Sequence, residues 1–123
     1  MMGATGARTA KQRAGRAAED LAAAFLRRNG LSIVDRNFRC KGGEIDLVAR
    51  DGAALVFVEV RLRRSGSHGG AGASVDAAKQ RRVLHAARFY LARRGDVPCR
   101  CDVVLLDALD PTRIDWIRDA FGE

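Results

Sequence analysis

The segments Gly43-Glu44-Ile45-Asp46-Leu47-Val48 and Leu55-Val56-Phe57-Val58-Glu59-Val60-Arg61 each place an acidic residue among residues that favour β-strands. Asp51-Gly52 lies between them and is a strong signal for a hairpin turn, so the two segments are expected to pair as antiparallel strands. A buried carboxylate is costly unless it has a partner. Acidic residues inside two consecutive apolar strands therefore indicate a shared function, such as the binding of one cation.

The rest of the chain predicts an α/β fold around this hairpin, in the order αβββαβ. Apolar residues recur at helical spacing in two segments, and runs of β-branched and apolar residues lie between them. A three-layer arrangement, with one mixed sheet and a helix on each face, would bury the apolar sides of these elements. The predicted elements are a helix at about Thr9–Asn29, strands at Leu31–Asn37, Glu44–Arg50 and Ala54–Leu62, a helix from Val75 or Asp76 to Arg94, a strand at Cys101–Leu106, and a segment at Arg113–Phe121 that could be strand or helix.

The length of 123 residues fits one domain with one core. We expect residues 1–8 to be a disordered tail and residues 9–123 to form the domain. The glycine- and serine-rich segment 63–74 is expected to be a flexible loop, because it lacks the strand-to-helix context of a phosphate cradle. The first helix should bury one stripe of residues, formed by Ala14, Ala17, Ala18, Leu21, Ala24 and Phe25.

The chain is strongly basic, with a formal net charge of +7. A small basic domain is a candidate for a polyanionic partner, most simply nucleic acid. The alternative is a solvated surface whose composition reflects codon bias. Charge bears on partners and not on the fold, so it leaves the architecture open.

Cysteine usage and hydropathy predict a soluble, cytoplasmic protein. The three cysteines, Cys40, Cys99 and Cys101, are an odd number, and reduced thiols are the simplest account of them. A zinc site is not expected, because no C-x-x-C pair is present. The first residues lack the apolar stretch of a signal peptide, and no run is long enough to cross a bilayer, so we expect no membrane partner.

Alternation along the two strands brings the acidic residues together. Successive side chains of a strand point to opposite faces, so Asp46 and Glu59 can lie close on one face if the strands pair. Two carboxylates, a carbonyl such as that of Val60 and water molecules suit Mg²⁺ or Mn²⁺. Such a cation can activate water and offset charge on a phosphate, and Arg61 beside it would stabilise the same charge. Glu19 of the first helix could add an outer carboxylate.

Each of these residues could also have a structural role that involves no metal or nucleic acid. Asp46 could form a salt bridge with Arg61 across the hairpin, since opposite charges on paired strands attract. Glu19 could be an exposed helix residue paired at helical spacing, and Glu44 could face solvent. The cations expected to contact nucleic acid could instead be solvated surface charge; they are Arg63, Arg64, Lys79, Arg82 and Lys41.

Several motifs taken together resemble the UPF0102 family, also called the YraN family. This family is similar to the restriction-endonuclease-like, PD-(D/E)xK superfamily, near the archaeal Holliday-junction resolvases. The resemblance covers the chain from about Gly15 to Phe121, and the combination is specific where any single motif would be weak. It is carried by Gly15-Arg16-Ala17-Ala18-Glu19, Asn37, Gly43-Glu44-Ile45-Asp46-Leu47, Phe57-Val58-Glu59-Val60-Arg61-Leu62-Arg63, Lys79 and Arg100-Cys101-Asp102-Val103-Val104.

The resemblance implies a restriction-endonuclease-like fold and a role for each acidic residue. Asp46 takes the place of the metal-binding aspartate, Glu59 that of the second metal-binding acid, and Glu19 that of a helix glutamate of the resolvase-like branch. Arg61 stands where the superfamily has a lysine. Arginine stays protonated, so electrostatic stabilisation could survive there but proton abstraction could not. Lys79 or Lys41 could compensate.

Three hypotheses follow from the sequence. The first is a metal-dependent nuclease that hydrolyses DNA phosphodiesters, including those of branched DNA, and that could act as a homodimer. The second is a nucleic-acid-binding module whose nuclease-type site is inactive because Arg61 replaces the lysine. The third is a structural or interaction protein in which the acidic pair belongs to an ion-pair network.

Overall fold

The computed structural model describes residues 8–63 and 75–122. Within them the element order is the predicted one, and the ambiguous last segment is a strand. The predicted flexible loop and N-terminal tail lie outside the described residues, apart from Arg8 and Arg63. The elements are α1 (Ala10–Arg28), β1 (Ser32–Cys40), β2 (Gly43–Asp51), β3 (Ala54–Leu62), α2 (Ala77–Leu91), β4 (Cys99–Leu106) and β5 (Ile114–Phe121).

The strands form one mixed sheet in the order β1-β2-β3-β4-β5. β1, β2 and β3 make the predicted antiparallel meander, and β4 pairs antiparallel with β5. β3 and β4 are parallel. Parallel neighbours need a crossover connection, and the segment containing α2 provides it. The sheet is therefore mixed, as the sequence predicted.

The two helices pack on opposite faces of the sheet. Leu47 and Val58 belong to the core cluster under α1, whereas their strand neighbours Val48 and Phe57 belong to the cluster under α2. This partition follows from the alternation of side chains along a strand. It yields the three layers expected of a sheet with an apolar side on each face.

α1 begins and ends close to the predicted bounds. Thr9 is its N-cap and forms a capping box with Gln12, and Asn29 is its C-cap. The expected buried stripe was partly wrong, because of the predicted set only Ala18 is fully buried. The helix is rotated so that its fully buried residues are Ala18, Ala22, Ala23 and Leu26.

β1 extends past its predicted end at Asn37. Asn37 has φ 53°, in the left-handed region that asparagine tolerates better than most residues. Backbone pairing nevertheless resumes, with Phe38 opposite Ile45. The strand therefore ends at Cys40, three residues beyond its predicted end.

α2 lies directly against the β1–β2 turn. Asp76 is its N-cap and accepts a hydrogen bond from the backbone N–H of Lys79. A Cβ atom on Gly43 would lie 2.6 Å from the carbonyl oxygen of Arg82, so only glycine fits at this contact. No described helix is both long enough and apolar enough to cross a membrane.

Candidate functional site

Asp46 and Glu59 meet where the β2–β3 ladder ends. The last paired residues are Leu47 and Val58, so Asp46 and Glu59 are the next positions in register. The backbone N–H of Asp46 donates to Oε2 of Glu59 over 3.1 Å, and the N–H of Val60 donates to Oδ2 of Asp46 over 2.9 Å. Each carboxylate thus reaches across to the opposite strand and accepts a backbone hydrogen bond there, so the structure brings the two acids together.

Burial of this pair disfavours its negative charge. The Glu59 side chain has no solvent exposure, whereas Asp46 is only half-buried and can be reached from solvent. Burial, followed by repulsion from Asp46, raises the pKa of Glu59 to about 8. Burial also raises the pKa of Asp46, against the effect of its hydrogen bond from Val60. A cation placed between the two carboxylates would relieve both effects.

Lys79 supplies the positive charge closest to Glu59. Its Nζ lies 3.1 Å from Oε1 of Glu59 and 3.1 Å from Oε1 of Glu44. Burial opposes the charge of Lys79, but the carboxylates of Glu59 and Asp46 outweigh it and raise its pKa. The residue that the sequence assigned to nucleic-acid contact therefore lies inside the acidic cluster.

Glu19 lies on the α1 side of this cluster. Burial, and next the charge of Asp46, raise the pKa of Glu19. Nδ2 of Asn37 donates to Oε1 of Glu19 over 3.2 Å, which offsets part of that shift. Asn37 was quoted only as part of the family resemblance, and its left-handed backbone is what brings its amide beside Glu19.

The predicted cations are distributed unevenly around the cluster. Arg61 is exposed, and its charge acts on Asp46 to lower the pKa of that carboxyl, after larger contributions from burial and other partners. Arg63 instead forms ion pairs with Asp107 at 2.6 Å and Asp115 at 3.4 Å. Lys41 and Arg82 are exposed, at the β1–β2 turn and on α2, and Arg64 lies outside the described residues.

A second buried acid shows that burial alone does not define a site. Asp102 in β4 has no exposure, like Glu59. Its carboxylate accepts hydrogen bonds from Nε of Arg100 (3.0 Å), from Nε1 of Trp116 (2.9 Å) and from the backbone N–H of Asp119 (2.9 Å). These bonds fasten β4 to β5 at an irregularity in their register, and they satisfy the acid completely.

Asp46 and Glu59 are the two carboxylates of the cluster that could hold a cation. Oε1 of Glu59 is buried, and its partner within the described structure is the Lys79 ammonium, 3.1 Å away. In residues 8–63 and 75–122, no three His, Cys, Asp or Glu side chains are grouped closely enough to ligate one metal. Mg²⁺ is usually bound through one or two carboxylates, with water and substrate phosphates completing its shell.

The fold and the site define an α/β protein whose mixed sheet carries an acidic cluster at the open end of its β2–β3 hairpin. Residues 18–106 match the model described as uncharacterised protein family UPF0102, and the chain belongs to that family. The resemblance to UPF0102 seen in the sequence is thereby confirmed.

Individual relatives match nearly the full chain. A UPF0102 protein of Cupriavidus necator is 61% identical over 112 residues, which cover 89% of this chain and 82% of the relative. One from Ralstonia pickettii is 59% identical over 114 residues, covering 88% and 89%. One from Janthinobacterium sp. is 53% identical over 114 residues, covering 92% and 90%.

Proposed function

We propose that this protein is a metal-dependent nuclease that hydrolyses DNA phosphodiesters, including those of branched DNA. The observation that carries the proposal is the convergence of Asp46 and Glu59, whose carboxylates cross between β2 and β3. The restriction-endonuclease-like form of the fold and action as a homodimer belong to the same proposal. The mixed sheet, with its helix on each face, supports the fold. The need to cut both strands of a DNA duplex supports the homodimer.

In this proposal Asp46 and Glu59 hold Mg²⁺ or Mn²⁺ together with the Val60 carbonyl, and Glu19 is an outer carboxylate that does not ligate the cation directly. When bound, the cation would activate water and neutralise charge on the phosphate. Arg61 is exposed next to Asp46, where its permanent charge would stabilise the negative charge that develops during hydrolysis.

Lys79 is proposed to be a positioning residue and not a base. Its raised pKa keeps the ammonium protonated, and its ion pairs with Glu44 and Glu59 hold the Glu59 carboxylate in place. Lys41 and Arg82 are exposed and suited to contacts with phosphates. Arg63 and Arg64 complete the proposed nucleic-acid contacts, although two carboxylates already engage Arg63.

A nucleic-acid-binding module with an inactive centre is the second candidate. Two observations favour it. Arginine stands at position 61 and cannot accept a proton, and the Lys79 ammonium already compensates Glu59. In that case the carboxylate pair would be a structural ion-pair network, and the basic surface would be the functional part.

A cleavage assay separates the two candidates. The purified protein is incubated with linear, single-stranded and four-way-junction DNA, with Mg²⁺ or Mn²⁺. Loss of a charged metal ligand removes several kcal/mol of transition-state stabilisation, so Asp46→Asn and Glu59→Gln should each slow cleavage by about 100-fold or more. Asp96→Asn, at an exposed position beyond α2, is the matched control and should cleave like wild type.

The remaining outcomes of this assay are equally informative. Cleavage that persists in both carboxylate variants would exclude this site and point to a contaminating nuclease. An inactive wild type combined with an active Arg61→Lys variant would favour the binding module with an inactive centre.

A further inference from the structure

A basic cavity lies on the α1 side of the acidic cluster. Its volume is about 270 Å³, and it contains Glu19 of the cluster together with Asn37. The remaining side chains that line it are mostly cationic or amide-bearing. We call it the α1 groove, and its lining is Arg8, Gln12, Gly15, Arg16, Glu19, Asn37 and Arg39.

A second basic cavity lies on the α2 side. Its volume is about 580 Å³, and it runs along the exposed side of α2 beside the β1–β2 turn. We call it the α2 groove. Its lining includes Gly42 from the turn and Arg81, Arg82, His85 and Arg88 from the helix.

The β1–β2 turn separates the two grooves and is fixed to α2. Nε2 of His85 lies 3.0 Å from the carbonyl oxygen of Lys41, and Gly43 packs against the backbone of α2. Glu44 lies two residues before Asp46, and arginines from both grooves act on its charge. Lys79 has the largest effect in lowering the pKa of Glu44, and Arg39 of one groove and Arg82 of the other add to it.

Five arginines of the two grooves lack the ion pairs that hold some other cations of the described chain, a property they share with exposed cations outside the grooves such as Arg27 and Arg28. Several cations elsewhere are held by carboxylates at 2.6–3.4 Å: Arg36 by Asp20, Arg63 by Asp107 and Asp115, and Arg100 by Asp51 and Asp102. In contrast, Arg8, Arg16, Arg39, Arg81 and Arg82 form no ion pair with any residue in 8–63 or 75–122. Cations grouped along a concave surface favour an anionic ligand.

We propose that the α1 groove and the α2 groove bind the DNA phosphates on either side of the reacting phosphodiester, so that the backbone crosses the β1–β2 turn. The ligand in both grooves is a row of phosphates on one polymer and not a free phosphate. The acidic cluster would repel a row of phosphates on its own, and the flanking cations offset this repulsion. That the reacting phosphodiester lies between the grooves, at the acidic cluster, rests on the proposed function.

Binding measured without divalent cations tests the grooves separately from catalysis. Fluorescence anisotropy of labelled duplex DNA is recorded in EDTA at increasing NaCl for wild type, Arg16→Gln/Arg39→Gln and Arg81→Gln/Arg82→Gln. Each lost phosphate contact should lower the slope of log K against log salt by about 1, and each pair should weaken binding by about tenfold at low salt. Arg27→Gln/Arg28→Gln, at the far end of α1, removes the same charge outside both grooves.

The control pair should keep the wild-type slope and lose less than about threefold in affinity, because exposed charges far from the contact are screened by salt. Groove variants that bind like the control pair would overturn the inference. So would inorganic phosphate that competes as well as DNA of equal phosphate concentration, because the site would then hold single anions. Thermal melts of all variants confirm that each is folded.

Cleavage of the same duplex with Mg²⁺ distinguishes the two proposals. DNA binding that depends on the grooves, without cleavage, would overturn the nuclease and keep the grooves. Cleavage that depends on Asp46, with groove variants that bind like the control pair, would overturn the grooves and keep the nuclease. A wild type that neither binds nor cleaves DNA overturns both.

Discussion

At the scale of single residues, Glu59 should make stability depend on pH. Its pKa is about 8 in the folded protein, raised by burial and then by Asp46, against an ordinary value of 4.5. Between these values the folded chain holds a proton that the unfolded chain has lost. Stability is therefore highest below pH 4.5 and is lost as the pH rises towards about 8.

Urea unfolding in EDTA, from below pH 4.5 to above pH 8, measures this effect. Glu59→Gln should be more stable than wild type at the upper end and nearly equal at the lower end. Glu44→Gln is the control, and its effect on stability should change with pH in the opposite direction. Lys79 lowers the pKa of Glu44, so the negative charge of Glu44 stabilises the fold. A difference between wild type and Glu59→Gln that does not change with pH would contradict this account.

Lys79 is expected to contribute more to the free energy of unfolding at high pH than at low pH. Lys79→Met removes the cation 3.1 Å from Glu59 and leaves a carboxylate with no exposure to carry its charge alone. Breaking a buried ion pair costs about 3–5 kcal/mol, and a cost of roughly 2 kcal/mol is expected here because Lys79 keeps some contact with solvent.

The same unfolding measurements, at the two ends of the pH range, test Lys79. Lys79→Arg keeps the charge and should recover most of the loss. Lys11→Met, at an exposed position on α1, should have little effect at either pH. A Lys79→Met cost that is equal at both ends would show that packing of the side chain, and not its charge, matters there.

At the scale of elements, the contact between α2 and the β1–β2 turn controls the site. A Cβ atom on Gly43 would lie 2.6 Å from the Arg82 carbonyl oxygen and 2.9 Å from the Ala86 nitrogen, and neither backbone atom can move alone. Gly43→Ala should destabilise the fold by about 1–3 kcal/mol and shift α2, and with it Lys79, away from Glu59.

Gly15→Ala is the matched control for this contact. Gly15 lies inside α1, and a Cβ atom there meets nothing within 4 Å, so alanine should stabilise the fold by about 0.5–1 kcal/mol. Thermal or urea unfolding gives both values. A Gly43→Ala variant as stable as wild type would mean that α2 is not held against the turn.

At the same scale, β3 shapes the site because its two edges are paired over different lengths. β3 is central in the sheet, antiparallel to β2 and parallel to β4, so both its edges are paired. Pairing with β4 continues through Glu59 to Leu62, whereas pairing with β2 stops at Val58. The one-sided opening leaves the N–H of Val60 free to bind Asp46, and it creates the space in which the two carboxylates meet.

At the scale of the whole molecule, the two fully buried acids differ in the partners that surround them. The fold buries two acidic residues completely, one in β3 and one in β4, within the described chain. Asp102 accepts hydrogen bonds that join β4 to β5, whereas Glu59 is paired with Lys79 and lies beside a second carboxylate, Asp46. In the second arrangement three carboxylates, those of Glu44, Asp46 and Glu59, surround one lysine, and this excess of acid is what the proposed cation would offset.

Much of the fold was predictable because the rules behind it act over a few residues. The Asp51-Gly52 turn and the strand-forming runs of β2 and β3 predicted the hairpin, and the helical spacing of apolar residues predicted α1, close to their observed places. The segment of β5 was ambiguous, because a bulged edge strand with Asp119 at φ 51° lacks a clean alternation. The buried stripe of α1 was partly wrong, because an alanine-rich helix has several faces that could pack.

The sequence by itself determined the order of elements and the pairing of β2 with β3, because the Asp51-Gly52 turn and the runs of strand-forming residues favour a hairpin. Only the tertiary structure decided that Lys79 faces Glu59, that Asp102 is structural, and that Arg16 and Arg82 line grooves on opposite sides of the cluster. These relations join residues on separate elements. They depend on how helices rotate and pack against the sheet, and no pattern within one element encodes that.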